Sequence, residues 1–323
     1  MVKLDLKDRK ILYQLDLDSR QSLSRIGVKV GLHKNNVLYR IKRMQDEGFI
    51  KYFWTAINTF RLGYNVFRIY INFQDVSAAV KQEIIQYFVN YRNSWLVAEI
   101  KGEVDLDVIL WVKNNYEFHQ FWNQTLAKYG TNFAKYAISL YIQAVCYQKS
   151  YLLLDEYKKA DRKMYETTCD GKTVPIDELD YRLLNLIVVN ARVPLVELAR
   201  NLGCSAQTVN YRIKNLIKNG VIQAFRVHID YSKLGLQHVK LDIYLKDHTQ
   251  RNPVIKYLGE NPCLEDLNVA IGWADLEPEF VVQNINELFQ ITDDINSHFP
   301  KAIRKQTFWI DMRDYKNRWL PEL

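Results

Sequence analysis

Leu195, Leu198, Ala199 and Leu202 recur at helical spacing, and Gly203 ends the run. Ser205 then suits an N-cap, and Val209, Ile213, Leu216 and Ile217 form the inward stripe of a second helix that Gly220 stops. The pattern predicts two short helices joined by a tight turn, the second with a polar outer face. A near copy lies upstream. Sliding the sequence by 172 residues sets Leu4 to Phe73 against Ile176 to Leu245 without a gap. Asp5 falls on Asp177, Asp8 on Asp180, Arg20 on Arg192, Gly31 on Gly203, and Tyr39-Arg40-Ile41-Lys42 on Tyr211-Arg212-Ile213-Lys214. This is an internal duplication.

In the first copy, Asp5 to Leu17 is helical with Leu6, Ile11, Leu12 and Leu15 on one side, and Ser22 caps a helix carrying Leu23, Ile26 and Val30. A third helix runs from Lys34 to Glu47 with Val37, Ile41 and Met44 inward. Its cap position is His33, a weaker acceptor than the Ser205 of the second copy. Ile50 to Ile57 is aromatic and β-branched, as a strand of a wing is.

Beyond each head the hydrophobic period changes. Val66 to Phe73 alternates as a strand, Ser77 to Tyr91 is helical, and Trp95 to Ile100 and Leu106 to Val112 are strands around a Gly102 to Asp105 turn. Helix Tyr116 to Tyr129 and strand Ala137 to Cys146 complete a βαββαβ order. The second copy repeats it with strand His238 to Leu245, helix Pro253 to Gly259, strand Leu264 to Ile271, a Gly272 to Asp275 turn and a strand through Phe280. Helix Asn284 to Phe299 and strand Arg304 to Met312 follow. The fold expected is α+β: two repeats of a (winged) helix-turn-helix head plus a ferredoxin-like βαββαβ domain. The domain limits are 1–60 and 61–152 for the first unit, 153–175 for a linker, and 176–232 and 233–323 for the second unit.

Composition narrows the function classes. The 323 residues are too many for one core, and none of their apolar runs reaches the ~20 residues of a membrane span. The first residues, Met-Val-Lys-Leu-Asp-Leu-Lys-Asp, lack the apolar stretch of a signal peptide, so a soluble cytoplasmic protein is expected. Cys146, Cys169, Cys204 and Cys263 form no Cys-x-x-Cys pair, and neither a metal nor another cofactor is indicated. The net charge is +7, but residues 1–60 carry 12 Lys or Arg against 6 Asp or Glu, whereas residues 233–323 carry 11 against 14. Positive charge gathers on the first head, where a phosphate backbone would need it.

A helix-turn-helix presents its second helix to the DNA major groove. The candidate DNA contacts in the first copy are Lys34, Asn35, Asn36, Tyr39, Arg40, Lys42 and Arg43. Those in the second are Ser205, Gln207, Thr208, Asn210, Tyr211, Arg212 and Lys214. Amides, hydroxyls and guanidiniums are the groups that read base edges and grip phosphates.

A head with Leu-x-x-Leu-Ala-x-x-Leu-Gly-x-Ser, then Val-x-x-Arg-Ile-x-x-Leu and Gly-Val-Ile, resembles the Lrp/AsnC (feast/famine) transcription regulators. Leu-Gly and a βαββαβ domain with a Gly-x-x-Asp turn extend the resemblance, and the whole chain looks like two such proteins joined end to end. The resemblance implies double-stranded DNA as partner, pairing through the ferredoxin-like domains, and an amino acid as effector. It also places Gly102, Asp105, Gly272 and Asp275 beside the effector site. Glycine and aspartate in such turns most often serve backbone geometry.

Two other readings use the same sequence. Siroheme decarboxylases share this architecture, sometimes as a fused pair, but carry a His-Asn-Tyr run where this chain has Leu96-Val-Ala-Glu-Ile and Asp266-Leu-Asn-Val-Ala. With His119 alone in the first ferredoxin-like domain, no acid–base cluster is visible and no catalysis is expected. A chromatin-type protein that coats DNA without sequence choice is the third. Fusion makes pairing intramolecular, raising the effective concentration to roughly the millimolar range, and further homo-oligomerisation stays open.

Overall fold

The first helix, α1 (Leu6–Leu17), starts at a capping box. The Asp8 amide donates to the Asp5 carboxylate at 2.8 Å, and the Asp5 amide donates to the Asp8 carboxylate at 3.1 Å. The computed structural model describes residues 4–154, 156 and 162–322. Helices α2 (Leu23–Val30) and α3 (Lys34–Asp46) complete the first head, and β1 (Ile50–Ile57) leaves it. The first βαββαβ domain comprises β2 (Asn65–Phe73), α4 (Ala78–Asn90), β3 (Ser94–Gly102), β4 (Leu106–Val112), α5 (Asn115–Tyr129) and β5 (Phe133–Tyr147).

A strand, β6 (Lys163–Thr168), follows within the stretch expected to be linker, and it pairs antiparallel with the end of β5. Six residues are too few for their period to stand out from a polar connection. The second head holds α6 (Glu178–Val189), α7 (Leu195–Leu202), α8 (Ala206–Lys218) and β7 (Ile222–Ile229). The second domain repeats the order with β8 (Gln237–Leu245), α9 (Arg251–Gly259), β9 (Leu264–Ile271), β10 (Glu277–Val282), α10 (Ile285–His298) and β11 (Ile303–Asn317).

The strands expected in two wings make one ribbon between the heads. β1 pairs antiparallel with β7, with Phe53 opposite Val227 and Thr55 opposite Phe225. A strand after a helix-turn-helix needs an edge partner, and the other repeat supplies it. Cross-links follow the 172-residue correspondence in both directions. The Ser19 amide donates to Phe225 O at 2.7 Å, and the Ala191 amide to Phe53 O at 3.0 Å. The Arg20 guanidinium donates to the Ala191 and Val193 carbonyls, and that of Arg192 to the Ser19 and Gln21 carbonyls. Each reciprocal pair marks a local two-fold axis through the ribbon.

The two four-stranded sheets also join. β3 pairs with β11 and β5 with β9, both antiparallel, so among the described residues eight strands close a barrel in the order β2-β4-β3-β11-β8-β10-β9-β5. Helices cover its outside: Ile84, Ile85, Phe88, Phe118 and Phe121 pack on Ile69, Val97 and Val108. The inward face is polar at its centre. Arg68 donates to both carboxylate oxygens of Asp107 and to Tyr141, and Lys240 to Asp242 and Tyr70. Arg68, Asp107, Lys240 and Asp242 tolerate burial because each has a partner of opposite charge.

Candidate nucleic-acid interface

The two candidate recognition helices are built alike. In α8 the Ser205 hydroxyl accepts the Thr208 amide at 3.0 Å, whereas in α3 the His33 ring accepts the Asn35 amide at 3.3 Å. Val37, Ile41 and Met44 of α3, and Val209, Ile213 and Leu216 of α8, lie in the head cores. Ile217, expected inward, is 45% exposed, because it lies one residue beyond the buried face.

The outward faces carry most of the expected side chains. Lys34, Asn35, Asn36, Tyr39 and Lys42 are exposed in the first head, and Ser205, Gln207, Tyr211 and Lys214 in the second. Tyr39 is 68% and Tyr211 69% exposed, far from any core position. Thr208 and Asn210 are half-buried. Leu38, which the polar pattern passes over, also projects outward, and its equivalent in the second head is Asn210. Apolar side chains on such a face suit the thymine methyl.

The arginines are placed differently. Arg40 donates to Asp5 at 2.8 Å and to Asp8 at 2.7 Å, and Arg43 donates to Asp8 at 2.6 Å. Arg212 repeats the arrangement with Asp177 and Asp180, both at 2.8–2.9 Å. The hydrogen bond to Asp5, then that to Asp8, raises the Arg40 guanidinium above its ordinary pKa, and Asp180 followed by Asp177 does the same for Arg212. These three arginines therefore tie the recognition helix to the start of the first helix of the head. Asp5, Asp8 and Arg40 recur as Asp177, Asp180 and Arg212, whereas Arg43 has Asn215 as its counterpart.

The glycines of both Gly-x-x-Asp turns lie against backbone of the other repeat. Gly102 has φ +142°, and a Cβ there would lie 2.6 Å from Phe308 O; at Gly272, φ +103°, it would lie 2.4 Å from Ile138 O. Asp105 accepts the Phe73 amide at 3.0 Å, and Asp275 accepts the Leu245 amide at 2.8 Å and Arg251 at 3.0 Å. Trp273 folds over the second turn, its indole N–H donating to Asp242 at 2.9 Å.

The family model for winged helix-turn-helix DNA-binding matches residues 4–51 and 176–223, which are the two heads. An HTH-type transcriptional regulator of Pyrococcus abyssi (strain GE5 / Orsay) is 31% identical over 123 residues, 37% of this chain and 81% of that protein. Regulatory protein AsnC of Haemophilus influenzae is 36% identical over 84 residues, 26% of this chain and 56% of that protein. The chain belongs to the Lrp/AsnC family of transcriptional regulators. Within that family it is a tandem duplication, with both heads carried by one polypeptide. This Lrp/AsnC chain also resembles the crystal structure of the siroheme decarboxylase NirDL, with TM-score 0.63 across 96% of this chain and 92% of that one. At 14% identity the likeness is one of fold. No helix among the described residues is long and apolar enough to cross a membrane.

Proposed function

We propose that this chain is a self-paired, sequence-specific DNA-binding regulator that reads an imperfect inverted repeat and performs no catalysis. The observation that carries the reading is the pair of exposed recognition faces set about one two-fold ribbon. The axis suits paired half-sites, while the faces differ: Asn35-Asn36 and Leu38 in one head against Gln207-Thr208 and Asn210 in the other. With Arg40 and Arg212 engaged inside the heads, base reading falls to these amides and to Tyr39 and Tyr211, with Lys34, Lys42 and Lys214 on phosphate. Selection from a random DNA pool tests this directly. The expected product has two unlike half-sites about one helical turn apart, ~10 bp. Asn35→Ala is expected to relax one half-site and Gln207→Ala the other, each by ~1–3 kcal/mol. A strictly symmetric product, or retention without sequence preference, overturns the proposal.

The second reading, a decarboxylase, has the NirDL fold behind it. A NirDL complex with an iron-uroporphyrin III analogue is known, and such a macrocycle is a polycarboxylate. The space enclosed between ribbon and barrel is lined by Asp230, Glu265, Asp266, Glu279, Asp311 and Asp314 against Lys51, Arg68, Lys149 and Arg313, an excess of carboxylates that repels that kind of ligand. Appearance of bound-tetrapyrrole absorbance on incubation with iron-uroporphyrin would favour the enzyme.

A further inference from the structure

A cavity of about 590 Å³ lies between the β1–β7 ribbon and the inside of the barrel. Ribbon residues Lys51, Trp54 and His228 form one wall, and barrel residues the other. Its volume falls within the range of small-molecule sites.

The charges on its lining do not balance. Lys51 faces Asp230 at 3.6 Å, Lys149 binds Glu265, and Arg68 is held by Asp107. His238 sits between Glu279 at 3.4 Å and Asp311 at 3.8 Å. Asp266, Asp311 and Asp314 have no lysine or arginine within ion-pair distance among the described residues, and Oδ1 of Asp311 lacks a hydrogen-bond partner. Arg313 also borders the cavity, but its guanidinium lies over the Tyr315 ring at 4.8 Å. Burial, then the neighbouring Asp314, pushes Asp311 up to about 7, and burial pushes Asp266 up to about 6. A cation within such an enclosure would favour the charged form of these carboxylates.

Aromatic side chains also line the cavity. Trp54 stacks on Trp319 at 4.0 Å, and Trp95 packs against Trp319 at 4.8 Å and against Trp111 at 5.5 Å. Indole faces favour organic cations. The indole N–H of Trp309 lacks a partner, and Trp309 is only 3% exposed, so an oxygen on the same molecule would find a donor.

The asymmetry points to selection of this lining rather than to a by-product of closing a barrel. Asp266, Glu279 and Asp311 occupy the positions that are Leu96, Ile109 and Tyr141 in the first repeat, 170 residues earlier. All six line the cavity, so the second repeat presents acid where the first presents leucine, isoleucine and tyrosine.

We infer that this cavity binds an organic cation, an amine or guanidinium on an apolar body, and that its occupancy reports to the heads through the ribbon. The inference is independent of which DNA sequence is read. Isothermal titration of the full chain with arginine, agmatine and spermidine, with glutamate and iron-uroporphyrin as controls, tests it. At least one of the three cations is expected to bind and quench tryptophan fluorescence, with affinity falling at least tenfold in D311N/D314N and in the single variant D314N. The melting temperature of each variant without ligand verifies folding. Saturating cation is expected to change affinity for a retained DNA fragment at least threefold in wild type and not in D311N/D314N. Failure of all three cations to bind, binding unchanged in both variants, or binding by iron-uroporphyrin alone overturns the inference.

Discussion

Arg40 shows how one side chain can be exposed by pattern and structural by position. Its partner Asp8 is only 1% exposed, so Arg40→Ala leaves Oδ1 of a sealed carboxylate without its guanidinium, while Oδ2 keeps Arg43 and the Asp5 amide. The expected loss is ~1–3 kcal/mol, seen as faster hydrogen exchange along α1 with α6 unchanged. Any accompanying loss of DNA affinity would then follow from a loosened helix. Asp311 makes the opposite case, a group whose charge is unwelcome. Burial, reinforced by Asp314, Asp107 and Glu279 and opposed by His238, holds its folded pKa near 7, above the 3.8 of a free carboxyl. Protonation therefore stabilises the native state below about pH 4, and that contribution disappears as pH rises through 7. Asp311→Asn is expected to melt closest to wild type near pH 4 and at least ~2 °C higher at pH 8. Differential scanning calorimetry at the two pH values checks the widening gap.

At the scale of elements, Gly102 and Gly272 hold the seams where one repeat's strand meets the other's. An alanine Cβ would press on a backbone carbonyl from the partner repeat, which cannot rotate away. Gly272→Ala is expected to cost ~2–4 kcal/mol, read as a lower urea midpoint at unchanged slope. Helices and strands were legible because their periods are local: the stripes Val37-Ile41-Met44 and Val209-Ile213-Leu216 need no knowledge of the rest of the chain. Pairing was not. Ile50–Ile57 reads as a strand from its own residues, but its partner Ile222–Ile229 lies in the other repeat, and a lone strand carries no address. For the same reason the sequence pattern offered a wing where a bridge between heads exists. Of the candidate contacts, the amides and tyrosines fall on the open face. The arginines do not, because a charge pattern records that a side chain is polar but not that Asp5 and Asp8 stand within its reach. The cavity was hidden too, since its walls come from stretches scattered from Lys51 to Trp319.

For the molecule as a whole, duplication settles where the second head comes from. One chain is expected to saturate one inverted-repeat duplex at equal molar amounts, and diluting the protein should not weaken binding through dissociation of the pair; light scattering of the complex measures both. The one-sided acidity of the barrel carries this further. If two polypeptides traded halves so that a second repeat faced another second repeat, Asp266, Glu279 and Asp311 would confront their own duplicates in place of Leu96, Ile109 and Tyr141. Mixed assemblies with strangers of the same sequence are thus discouraged by Coulomb repulsion as well as by the tether, and each polypeptide is left to embrace itself.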